Sequence, residues 1–162
     1  MDYFLIRQSG TVSIPKAPKT EDPSSMEPSV RIMENLSALD KFDYIASEHL
    51  FSDQLKQLIE QYLPEQLWRP CAFINPQKKD QKTFWFLPDL PYKPKQVVIG
   101  SNGIPSAVYI DETDFAQKAP AILRIRNPKG TVFLIVHLSV AESILRRGIC
   151  GLELQRLGKQ TE

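Results

Sequence analysis

Four side chains in this sequence are soft enough to ligate a transition metal or to attack as a thiolate or imidazole: His49, Cys71, His137 and Cys150. Zinc and related ions take such ligands at short paired spacings, because neighbouring donors must converge on one point. Here the successive gaps are 22, 66 and 13 positions, which match no ligand motif. Cys71 and Cys150 lie in the apolar runs CAFIN and ICGLEL, where an isolated thiol behaves as a small core residue. His137 ends the apolar run VFLIVH and is expected to cap or hydrogen-bond there. No metal and no cofactor is predicted.

Hydrolysis through a serine or cysteine needs a base held beside the nucleophile, and no GxSxG elbow is present. Ser52 and Ser139 both precede amphipathic stretches and read as helix caps. The 7 glycines are scattered, and neither GxGxxG nor GxxxxGK occurs to cradle a phosphate. No catalytic residue is assigned, and the chain is read as a non-enzyme.

Two charge runs remain. Asp111, Glu112 and Asp114 follow the run SAVYID, and Lys78, Lys79 and Lys82 precede FWFLP. Either run is ordinarily a solvated turn, yet both stand at strand ends, where loops present recognition groups. They are the candidate partner-binding residues, the acidic run ahead of the lysine run. Trp68, Phe84, Trp85, Phe86, Tyr92 and Tyr109 are expected mostly in the core, with some turned outward along alternating strands to anchor an interface. Asn35-Leu36-Ser37 matches a glycosylation acceptor, which is without meaning in a cytosolic protein.

These residues must be positioned by short elements. The 162 residues suit one domain, and 13 prolines predict many fixed bends. With 20 basic and 19 acidic side chains nearly cancelling, no global field draws the molecule to nucleic acid or an anionic membrane. Two isolated cysteines fit a reducing compartment. The opening MDYFLIRQSG lacks the basic start and long apolar stretch of a signal peptide, so a cytoplasmic location is expected.

Tyr3 to Arg7 reads as a strand, and residues 8–30 as a proline-rich loop or arm. In SDQLKQLIEQYLPEQLW, the residues Leu55, Leu58, Ile59, Tyr62 and Leu63 share one helical face behind Ser52, and Pro64 blocks continuation. A helix is predicted over residues 53–63. CAFIN, TFWFLP, QVVIGS, SAVYID, ILRIR and TVFLIVH read as strands, the last two joined as a hairpin through Asn127-Pro128-Lys129-Gly130. VFLIVH lacks alternation and should be buried on both faces. Ser139 with Glu142 reads as a capping box opening a second helix that Gly148 ends. The fold class is α+β: a mostly antiparallel sheet with two or three helices packed on it, in a single domain.

Two stretches, DYIASEHLFSDQLKQLIEQYLPEQLWRPCAFIN and ILRIRNPKGTVFLIVHLSVAESILRRGICGLELQRL, together resemble a family of bacterial immunity proteins from polymorphic-toxin systems, long described as a domain of unknown function. The likeness lies in a serine-capped helix followed by a run near FIN, and in a closing strand, Ser, helix, Gly-Leu, strand, here Val132 to Leu157. It implies a function without catalysis: the protein binds a cognate toxin, encoded by an adjacent gene, and occludes it. The family's shared residues are caps and core and transfer no binding site. Residues 14–28 and the lysine turn at 77–82 have no counterpart in the family. The alternatives are a small enzyme with an unrecognised acidic site, marked by turnover that is lost on changing Asp111 or Glu112, and a structural or regulatory module of a larger assembly.

Overall fold

A computed structural model describes residues 2–87, 90, 96–109 and 120–158. Among these, eleven strands, two α-helices and one 3-10 helix give an α+β fold whose sheets are mostly antiparallel. The residues cluster into two compact units, one formed by 1–7, 89–147 and 153–162, the other by 8–88 and 148–152.

In the first unit, β1 (Tyr3–Gln8), β9 (Ile122–Arg126), β10 (Val132–His137) and β11 (Leu152–Arg156) form a four-stranded sheet in the order β11-β1-β10-β9. β10 is antiparallel to both neighbours, with Tyr3 opposite His137 and Val132 opposite Arg126. Its central position explains the unbroken apolar run: Leu134, Ile135 and Val136 are all buried. The β9–β10 hairpin closes as its sequence predicts. Asn127 Oδ1 accepts from the amides of Lys129 at 3.0 Å and Thr131 at 2.9 Å, and Gly130 supplies the positive φ of 87°. A two-stranded ribbon, β7 (Gln96–Ile99) with β8 (Pro105–Tyr109), contributes Val97 and Val108 to a core built on Tyr3, Leu5, Leu123 and Ile135.

α2 (Leu138–Arg146) starts two residues earlier than its sequence predicts, directly from β10. Its N-cap is His137, not Ser139: the imidazole Nδ1 accepts the Ser139 amide at 3.2 Å and lies 3.0 Å from the Ser139 hydroxyl. The strand runs into the helix without a linker, so the last strand side chain stands where the cap must be.

The second unit is built on a five-stranded sheet ordered β2-β5-β6-β4-β3, comprising β2 (Ser29–Ile32), β3 (Tyr44–Ile45), β4 (Leu50–Ser52), β5 (Arg69–Asn75) and β6 (Asp80–Phe86). Every pairing is antiparallel except β2 with β5. One face packs Cys71, Phe73, Phe84 and Leu50 against Leu36 and Leu39 of the 3-10 helix (Leu36–Lys41), with Phe42 and Ile45. Gly151 passes so close to the loop after it that a Cβ there would lie 2.6 Å from the Phe42 Cα, and its φ of +71° also favours glycine.

The other face carries α1 (Asp53–Glu60), which lies against β4 and β6. Its predicted apolar face is the buried one: Leu55, Leu58 and Ile59 have no exposed surface. Regular helix ends at Glu60, and a last turn in which the Leu63 amide reaches Ile59 O at 3.1 Å leads to Pro64.

Candidate interaction surface

The lysine run is divided by strand alternation. Lys78 and Lys79 are exposed at the tip of the β5–β6 hairpin, where Lys79 holds a left-handed φ of 51° and the Lys78 amide donates to Asn75 Oδ1 at 3.3 Å. Lys82 stands opposite Phe73 on the inner face instead, with Nζ 2.5 Å from Asp40 Oδ1 and 6.0 Å from the Phe84 ring. The hairpin tip thus keeps two of the three candidate cations together, while the third is paired with a surface carboxylate. Asp111, Glu112 and Asp114 lie outside the described residues.

The groups with nucleophilic potential are engaged in holding the fold. The Ser52 hydroxyl donates to Asp43 Oδ1 and accepts the Leu55 amide at 3.2 Å, which caps α1. Asp43 Oδ2 accepts the Cys150 amide at 2.7 Å. Burial pushes the Cys71 thiol up to about 11, so it stays protonated. Cys150, expected as a small core residue, is exposed instead, because its run lies in the turn between α2 and β11; partial desolvation and then its hydrogen bond to Asp43 hold the thiol above its usual value. Arg31 beside Cys71 and Lys82 near Cys150 favour the thiolate, but desolvation outweighs them in both cases. Among the described residues, no three His, Cys, Asp or Glu side chains stand together as a metal site.

Two buried arginines, unmarked by any sequence spacing, fasten the proline-rich segment to the sheet. Arg31 forks onto the Glu48 carboxylate, with the second contact at 2.8 Å, and donates to Pro15 O at 3.0 Å. Arg69 donates to Glu27 O at 2.8 Å and to Glu21 Oε1 at 2.6 Å. Ser29 completes the cluster by donating to Glu21 Oε2 at 2.7 Å. Both guanidinium groups lie over the Phe86 ring, Arg31 at 5.9 Å and Arg69 at 5.2 Å. Burial works against the Arg31 charge, but the Glu48 hydrogen bond and charge outweigh it and hold the guanidinium above its usual value. The arm of residues 8–30 is therefore ordered in part as a packed surface loop, and its last two residues already belong to β2.

This arrangement inverts β2. Ser29 and Arg31 point inward to the ion pairs, so Val30 and Ile32 face solvent at 48% and 60% exposure. Across the register they meet Ala72 and Ile74, which makes this end of the outer sheet face apolar. At the other end, Lys56 spans two indoles, 4.5 Å from the Trp85 ring and 5.8 Å from that of Trp68. The Trp85 N–H donates to Asp53 Oδ1 at 2.5 Å, and the exposed Leu67 adjoins Trp68 in sequence. The buried Trp68 N–H has no hydrogen-bond partner among the described residues. Alternation in SVRI was the one available signal for the exposed pair, but with polarity reversed it points the wrong side inward.

No family model matches the chain, and no curated protein matches it.

Proposed function

We propose that this chain is an immunity protein: it binds a cognate toxin encoded next to it, in the cytoplasm, and neutralises it by occlusion rather than by chemistry. The observation that carries the reading is how side chains are used in the second unit. Ser52, Asp43, Arg31, Arg69, Glu21 and Glu48 are committed to internal hydrogen bonds and ion pairs. Large apolar side chains, Val30, Ile32, Leu67 and Met26, are instead presented to solvent. Apolar groups set among polar ones on a rigid sheet are what a protein partner desolvates on binding. The exposed lysines of the hairpin tip would act at the rim, steering encounter more than adding affinity. The resemblance to the immunity family supplies the kind of partner.

The test is co-purification of the chain with the product of the adjacent gene, followed by calorimetry on the separated components. A one-to-one complex that abolishes the toxin's activity is the expected result. A sample shown to be folded that forms no measurable complex overturns the proposal.

A further inference from the structure

We infer that β2 is a docking edge for an extended segment of a partner protein, one with alternating apolar side chains and basic residues at both ends. The inference rests on the binding function proposed above and names the surface and the chemistry of its partner.

Three observations converge. First, β2 is the outermost strand of its sheet and, among the described residues, pairs on one side only, with β5. Such an edge offers a row of main-chain donors and acceptors to an incoming strand, here over the four residues that follow Pro28. Here the strand's outward side chains are Val30 and Ile32, which sit two residues apart and so project from one face to meet alternate side chains of an added strand. Second, the edge is held in place before any partner arrives. Its inward side chains are locked by the Arg31–Glu48 fork and by the Ser29–Glu21 hydrogen bond, which lowers the ordering cost of binding.

Third, charge selects the occupant. β2 is bracketed by Glu27 and Glu34, both exposed and neither in an ion pair among the described residues. A second copy of the chain is disfavoured on this edge. Two-fold pairing that keeps Val30 and Ile32 of both copies on one face brings Glu34 of one copy within one residue of Glu27 of the other, at both ends of the ribbon. Like charges placed across strands are destabilising. A partner strand with lysine or arginine at each end reverses both terms.

Labelled synthetic peptides of alternating valine and threonine, flanked by lysines or by glutamates, test this by anisotropy at low salt. The folded chain should bind the lysine-flanked peptide at least about tenfold more tightly. Glu27→Lys with Glu34→Lys, an exposed pair of changes that leaves the core intact, should reverse the preference. Ile32→Lys should weaken both peptides with an unchanged thermal melt. Absent binding, equal binding, or a preference unaltered by the double reversal overturns the inference, as does concentration-dependent dimerisation that Ile32→Lys abolishes. The adjacent gene product separates this inference from the function it rests on. If that product binds wild type and Ile32→Lys equally, the edge is wrong and the binding function stands. If it fails to bind wild type while peptide selectivity holds, the immunity reading falls and the edge stands.

Discussion

The Arg69 guanidinium donates to the Glu21 carboxylate at 2.6 Å, joining the first residue of β5 to the proline-rich arm in a pair that is about nine-tenths buried on both sides. A buried pair of this kind contributes little net stability relative to a well-packed apolar replacement, but removing one member strands the other charge.

Glu21→Ala should therefore cost about 3 kcal/mol in denaturant melts, and the arm should become the first site of limited proteolysis. The combined change Arg69→Met with Glu21→Leu should cost less than the sum of its single changes, with a coupling of about 0.5 to 3 kcal/mol. Strict additivity would mean that the pair does not fasten the arm.

Leu58→Ala or Ile59→Ala should each destabilise the protein by about 2 to 5 kcal/mol, since both side chains are fully buried where α1 meets β4 and β6. A loss under about 0.5 kcal/mol would place that face elsewhere.

His137→Ala should cost about 1 kcal/mol through the lost cap of α2, and Ser139→Ala distinctly less. Paired thermal melts check this; the reverse order would return the cap to the serine.

Stability should fall at alkaline pH through Cys71. Its ordinary pKa of 9.0 is raised to about 11 in the folded state, so the fold holds the thiol proton more tightly than the unfolded chain does. The contribution is complete below about pH 9 and declines as pH rises through about 11. Cys71→Ala should flatten this part of the stability profile relative to wild type. Thiol labelling of the native protein at pH 8 should reach the exposed Cys150 well before Cys71.

Lys78→Glu with Lys79→Glu should leave the melt within about 0.5 kcal/mol of wild type, since both side chains are exposed. Its effect should be on the association rate with the adjacent gene product and should shrink as salt rises.

What could be read from sequence alone follows the range of the interactions involved. α1 was legible because its signals are local: Ser52, three apolar residues at helical spacing, and a proline. The β9–β10 hairpin was legible for the same reason, with Asn127 and Gly130 in one turn. The arginine cluster was not, because Arg31 reaches Glu48 and Arg69 reaches Glu21 through tertiary folding that no spacing encodes. That cluster also turned β2 over, so Val30 and Ile32, apolar by chemistry, lie outside by geometry. The shift from Ser139 to His137 came from a strand that ends where the helix begins. Of the proposed contact residues, adjacency in a turn kept Lys78 and Lys79 together, while alternation sent Lys82 to Asp40.

The placement of β1 has a consequence for how the protein comes to be folded. Its partner in the sheet is β10, far along the chain, so Tyr3 can meet His137 only once the intervening sequence through β10 has been made. The first unit is assembled from three separate stretches, and Gly148–Leu152 returns to the second before β11 closes the sheet. Loop-closure entropy for so distant a pairing must be met before its contacts form. During synthesis the strands of the β2 to β6 sheet are therefore all available before those of the four-stranded sheet, which waits for β10 and β11. Until then the apolar side chains of β1 remain without their partner, an interval during which a chaperone has a defined segment to hold.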